Sequence, residues 1–260
     1  MTERPADRPA EEEISFIGSN GNELAGVLHR PPQRATGSVL MAHCFTCSKD
    51  LHTMTRLADA LCDAGLAAFR FDFTGLGESE GDFSKKTLSG NVIDVVRAAT
   101  TLIEMGFGPC GLMGHSLGGA AVLLAAEKLK TVRSIVTISS PADAQHVRHL
   151  IGDSEKEEIL SAGIADVTIG GRMFSLESGF LHDLHAHNVL EAVANLGRPY
   201  MVIQSEDDYT VPVAEGQRLF DAAVGNKKLV LLPSGGHLFQ GRDDAEALAD
   251  EVTAWFKSTL

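Results

Sequence analysis

Cys110-Gly111-Leu112-Met113-Gly114-His115-Ser116-Leu117-Gly118-Gly119-Ala120-Ala121 decides how the rest of the chain is read. The apolar run up to Met113 is short and reads as a buried strand; the Ala- and Leu-rich stretch after Ser116 reads as a helix. A serine between glycines at that junction sits on a sharp turn. The turn strains its backbone, projects its oxygen into open space and sets the N–H groups of the helix start beside it. Gly118, Gly119 and Ala120 are small where the helix must press on the strand. The plainer alternative, a glycine-rich turn with a capping serine, requires nothing elsewhere in the chain. A nucleophile requires a base and an acid.

Outward from this junction, strand and helix patterns alternate. Residues 14–17 and 24–29 flank Ser19-Asn20-Gly21-Asn22, a hairpin signal. Strand patterns follow at 38–42, 66–71, 110–114, 134–138, 200–204 and 228–232. Helix patterns lie at 50–64, 87–105, 117–129, 213–224 and 243–256. This alternation predicts a mostly parallel central sheet covered by helices on both faces, with an antiparallel hairpin at one edge. Residues 143–186 break it with a charged helix, a hairpin turning at Gly170-Gly171 and a further helix over 180–187. Lying between two sheet strands, this segment reads as a small cap inserted over the carboxyl edge of the sheet. Residues 1–13 read as a disordered tail and 14–260 as a single domain.

The 260 residues carry a net charge of −13, which argues against nucleic acid or an anionic membrane as partner. No apolar run reaches the ~20 residues of a membrane span, and the polar, acidic start lacks the pattern of a secretory signal. A cytoplasmic location is expected. Cys44, Cys47, Cys62 and Cys110 make no disulfide framework. Cys44-x-x-Cys47 lacks the second pair that a zinc site would need, so it reads as two small residues in a tight loop.

Chemistry in such sheets collects beyond the carboxyl ends of the strands. The pattern at 200–204 runs into Ser205-Glu206-Asp207-Asp208, and the last strand runs into Pro233-Ser234-Gly235-Gly236-His237. A base and an orienting acid are therefore both available to Ser116. His237 follows two glycines that free the loop to turn its ring inward. Glu206, Asp207 and Asp208 compete for the role of acid. Asp72, Gly75, Gly77 and Ser79 read as turn residues and hydrogen-bonding partners of loop backbone. The pairs His146-x-x-His149 and His182-x-x-His185 lack an acidic partner at metalloprotease spacing, so no metal and no cofactor is expected.

Taken together, Gly114-His115-Ser116-Leu117-Gly118-Gly119, Asp208-x-x-Val211-Pro212 and Gly236-His237 resemble the α/β-hydrolase superfamily. So do Phe71-Asp72-Phe73-Thr74-Gly75-Leu76-Gly77-Glu78-Ser79 and Ala42-His43-Cys44-Phe45. The likeness spans nearly everything after residue 14 and implies the α/β-hydrolase fold. It selects Asp208, three residues before the Val-Pro pair, and implies a triad of Ser116, Asp208 and His237. It also implies an oxyanion hole made by the backbone N–H groups of Phe45 and Leu117. Cys44 stands where most relatives have glycine, so this loop must adopt a conformation that a side chain permits. More narrowly, His43–Asp50 and Phe71–Gly81 are similar to the hydrolase portion of fusions to an OsmC-like domain. No such second domain is expected after the last helix. The Phe-Asp-Phe loop and the hairpin-bearing cap resemble small cinnamoyl and feruloyl esterases.

These likenesses imply a serine esterase acting on a small to medium carboxylic ester, its partner a small molecule. The alternatives are a thioesterase and a non-catalytic ligand-binding protein of the same fold.

Overall fold

The computed structural model describes residues 10–108 and 110–260, in which eight strands form one sheet and two form another. β1 (Ala10–Ile17) and β2 (Glu23–Arg30) open the chain as an antiparallel pair, with Ile14 opposite Gly26. β1 begins earlier than the apolar pattern predicts. Glu11, Glu12 and Glu13 belong to this strand rather than to the expected tail over residues 1–13, and residues 1–9 of that tail lie outside the described residues. Pairing is a backbone property, and exposed charges on an edge strand discourage further pairing; Glu12 also meets the Arg30 guanidinium across the hairpin.

β3 (Gly37–Ala42), α1 (His52–Asp63), β4 (Leu66–Phe71), α2 (Leu88–Glu104), β5 (Gly111–His115), α3 (Leu117–Ala126) and β6 (Ser134–Ile138) follow in strict alternation. α2 starts where Thr87 Oγ1 accepts the Gly90 N–H at 2.9 Å, a cap worth about 1 kcal/mol. The insertion comes next: a 3₁₀ turn (Ala144–Leu150), α4 (Asp153–Ala162), β7 (Ile164–Ile169), β8 (Arg172–Glu177) and α5 (Ser178–Leu184). Gly170 (φ 58°) and Gly171 (φ 77°) close the β7–β8 hairpin. Both central residues of such a two-residue turn need positive φ, which glycine adopts without steric cost. α6 (Val189–Ala194) returns the chain to β9 (Tyr200–Ser205), α7 (Val213–Ala222), β10 (Lys227–Leu232) and α8 (Arg242–Thr259). The sequence pattern does not predict α6, which is a six-residue turn of helix.

The main sheet runs β1-β2-β4-β3-β5-β6-β9-β10 and is parallel from β4 to β10. Its strands are apolar on both faces because both are covered. Leu40, Leu112 and Ile135 pack with Val95, Val122 and Leu219 of α2, α3 and α7. Their neighbours Met41, Met113 and Val136 point the other way, toward Leu57 of α1 and Val252 and Phe256 of α8. From β3 the chain steps out to β4, then crosses back over β3 to reach β5. That reversal opens a crevice at the carboxyl edge between the loops after β3 and β5.

Candidate active site

Ser116 joins β5 directly to α3 with φ 54° and ψ −126°. A non-glycine residue holds such a conformation only when its surroundings enforce it. Its N–H donates to Ile138 O at 2.9 Å, tying the turn to β6. The flanking glycines are required by crowding. A Cβ on Gly114 would lie 2.6 Å from Gly119 Cα, and one on Gly119 would lie 2.5 Å from Ser140 Oγ. Leu117 is the first residue of α3, so its N–H has no helical carbonyl to bond.

The loop after β3 forms the facing wall. His43 is fully buried, and the Phe73 N–H donates to its Nε2 at 3.2 Å. Nδ1 therefore carries the proton and donates to Cys44 O at 2.7 Å. The peptide so anchored is the one whose other end is the Phe45 N–H. Burial, reinforced by the nearby Lys86 charge, pushes His43 down to about 3, so the ring is neutral. Lys86 Nζ donates to Phe45 O at 3.2 Å and lies over the rings of Phe73 (5.2 Å), Phe83 (5.3 Å) and Phe45 (5.4 Å). Burial pushes Lys86 down to about 7. The cap reaches the same loop: Arg172 donates to Thr46 O at 3.1 Å, and Phe180 stacks on Phe45 at 4.9 Å.

Cys44 does not have positive φ. Its sulfur is bonded to that of Cys47, with the Cα atoms 5.4 Å apart. This corrects the expectation of two unlinked residues: the loop turns tightly enough to bring both side chains to one side, which spacing alone does not reveal.

On the other side of the crevice, His237 Nδ1–H donates to Asp208 Oδ2 at 2.9 Å. Asp208 Oδ1 accepts from the Thr210 and Val211 N–H groups at 2.8 and 2.9 Å. Burial opposes the Asp208 charge, but the bond and charge of His237 outweigh it and hold the carboxyl below its usual range. Asp207 faces elsewhere, accepting from Ser205 Oγ at 2.5 Å and from the Gly236 N–H at 2.7 Å. It fastens the backbone of the histidine loop, where Gly235 (φ 131°) and Gly236 (φ 55°) make the turn. Glu206 is exposed.

Ser116 Oγ and His237 Nε2 are not hydrogen-bonded to each other. The two loops meet through His115, whose Nε2–H donates to His237 O at 2.7 Å and whose ring lies 4.9 Å from that of His237. Burial, with His237 nearby, pushes His115 down to about 3 and keeps it neutral.

The remaining candidates are structural. Asp72 accepts from the Lys49 and Glu78 N–H groups at 2.6 and 3.0 Å, and Ser79 Oγ donates to Asp72 O at 2.7 Å. Asp50, Asp72 and Glu78 surround the Lys49 ammonium, which fills the place a cation would take. Glu11 and Asp59 face His29, but Arg70 donates to His29 Nε2 at 2.8 Å and leaves a proton on Nδ1. The histidines of the insertion and the segment after it find separate partners: His146 bonds Thr210 O and packs edge-on against His149 at 5.3 Å, His185 meets Arg148 and His187 meets Ser89.

His43, His115 and Lys86 are the site-adjacent residues that spacing does not single out. His43 and His115 are visible only as parts of longer motifs. Lys86, in Ser84-Lys85-Lys86, looks like any solvated charge.

The family model described as "Alpha/beta hydrolase family" matches residues 39–251. The chain is similar to the esterase domain of a Rhodothermus marinus protein: 34% identity, 96% of this chain and 99% of that one, TM-score 0.79. Est1E of Butyrivibrio proteoclasticus, solved with ferulic acid bound, shares the fold at TM-score 0.83 and 21% identity, covering 95% of this chain and 99% of that one. A monoacylglycerol lipase of Mycolicibacterium smegmatis is 24% identical over 95% of this chain and 98% of its own length.

Proposed function

Because the chain belongs to the alpha/beta hydrolase family, we propose that it is a serine hydrolase cleaving a small to medium carboxylic ester through an acyl-enzyme. The observation that carries this reading is the conformation of Ser116: a strained hydroxyl at the start of a helix, in the crevice that the Asp208–His237 pair also borders. With Nδ1 committed to Asp208, the free edge of His237 is Nε2, the atom that can take a proton.

In the reaction, Ser116 Oγ attacks the acyl carbon while its proton passes to His237 Nε2. Asp208 fixes the tautomer and stabilises the imidazolium. The carbonyl oxygen becomes negative between the N–H groups of Leu117 and Phe45. The C–O bond then breaks, and His237 gives the proton to the departing alcohol. Water repeats the sequence on the acyl-enzyme and frees the acid. For this, the histidine loop must close the gap to Ser116, a tightening common when substrate binds.

The ferulate bound to Est1E and the cluster of Phe45, Phe83, Phe174 and Phe180 favour an apolar or aromatic acyl group. The test is a nitrophenyl ester assay with Ser116→Ala and a fluorophosphonate probe. The variant should lose on the order of 10⁵ in kcat, and the probe should label Ser116. A loss below about tenfold, or no labelling, would remove Ser116 from the mechanism and leave a binding protein.

A further inference from the structure

We propose that Cys44 and Cys47 are a thiol–disulfide modification site that sets the activity of the Ser116 centre by holding or releasing the Phe45 N–H. The proposal rests on the esterase reading above. The bonded sulfurs close a ring containing only Phe45 and Thr46, and Phe45 N–H is one of the two oxyanion donors of that reading.

A link between residues three apart in one loop joins no two elements of the fold, and short loops gain least from closure. It is a poor staple. What it fixes is local: the peptides from Cys44 to Cys47. The outer face of that ring is held without covalent bonds, by His43 on Cys44 O, Lys86 on Phe45 O and Arg172 on Thr46 O. Only the sulfur side is covalent, and only it answers to thiol reagents.

The other cysteines stand apart from this chemistry. Cys62 is buried in α1, and burial pushes its thiol up to about 12. Cys110 immediately precedes β5, and its sulfur accepts the Ser38 N–H at 3.5 Å. Cys44 is buried and Cys47 half-buried, so the accessible sulfur is that of Cys47.

The exchange balances with a dithiol as reductant. One of its thiolates attacks Cys47 Sγ, the S–S bond breaks, and Cys44 leaves as a thiolate that takes a proton from water. The second thiol of the reductant then attacks its own sulfur in the mixed disulfide and releases Cys47. The reductant departs as a cyclic disulfide, having given two electrons and two protons. A small-molecule disulfide such as oxidised glutathione reverses the process. Reduced, the ring opens and the Phe45 N–H is held from the His43, Lys86 and Arg172 side alone, which loosens its position opposite Leu117.

The test compares protein equilibrated with oxidised glutathione and with dithiothreitol, with alkylation and mass mapping to score each cysteine. Reduction should expose Cys44 and Cys47 together and lower kcat on a nitrophenyl ester by about tenfold or more. KM should change little, and the melting temperature should stay within about 2 °C. Oxidation should restore the rate, and Cys47→Ser should sit at the reduced rate and ignore both reagents. Three results overturn the proposal: equal kcat in two states that mapping proves distinct, no disulfide under oxidised glutathione, or activity lost only with a matching fall in melting temperature. If neither state turns over ester nor takes a fluorophosphonate on Ser116, the esterase reading fails and this inference falls with it.

Discussion

Gly118→Ala tests the crevice most directly. Gly118 lies in the first turn of α3, and a Cβ there would sit 2.7 Å from Ala42 O and nearer still to His43 O. Both neighbours are backbone, so no side chain can swing aside. Ordinary contact needs about 3.4 Å, so the end of β3 and the start of α3 must part by about 1 Å. That movement separates Leu117 N–H from Phe45 N–H, the two donors that the proposed mechanism needs to converge on one oxygen. A misplacement of about 1 Å costs about 10²-fold in rate, and outright loss of one donor about 10²–10³. Overpacking should also cost about 1–3 kcal/mol of stability. The assay is kcat on a nitrophenyl ester beside thermal unfolding. Gly179→Ala is the control: it lies in α5 with nothing within 4 Å of the added carbon, and it should leave the rate unchanged. A Gly118→Ala enzyme with kcat within about threefold of wild type and an unchanged melting temperature would refute the reasoning.

Asp208→Asn should lower kcat by on the order of 10³–10⁴, because the amide imposes the wrong tautomer on His237. Asp207→Ala should cost only about tenfold, through the lost anchor on Gly236; equal losses in the two variants would reject the assignment of the acid. Burial pushes Lys86 down to about 7 in the folded protein, against 10.5 for the free group. Between those values the unfolded chain holds a proton that the folded chain does not, so stability rises with pH at up to about 1.4 kcal/mol per unit. Urea unfolding of wild type and Lys86→Met at pH 7.5 and 9.5, values taken for about two units of that window, should give stability changes between the two pH values that differ by up to about 2–3 kcal/mol. Identical pH dependence in the two proteins would disprove the lowering of Lys86 by burial.

The parallel sheet is legible because its strands are buried on both faces and so read as unbroken apolar runs: Val39–Ala42, Leu66–Phe69 and Tyr200–Ile203. Ser116 and His237 are legible for a related reason. Glycines must flank them where the backbone turns sharply, and glycine is visible in a sequence. The three glutamates of β1 are not legible as strand, since their pairing with β2 depends on backbone alone. Neither is Lys86, because only Phe83 of the three rings around its Nζ is near in sequence, and Phe45 and Phe73 reach it through the fold. The choice of Asp208 over Asp207 falls between: chain order narrows the acid to one loop and leaves both open, the family resemblance selects Asp208 by its distance from Val211-Pro212, and in the structure Asp208 bonds His237 while Asp207 bonds the Gly236 N–H.

Phe180 and Arg172 belong to the inserted segment, yet both grip the loop that presents Phe45. On the proposed esterase reading, a motion that lifts the insertion to admit an ester pulls on the proposed oxyanion donor as well. On that reading the open molecule would be a poor catalyst, and full power would return only when the roof settles on a guest of the right size. Remodelling that roof for a new guest carries a built-in penalty, since each change in fit is felt at the bond being broken.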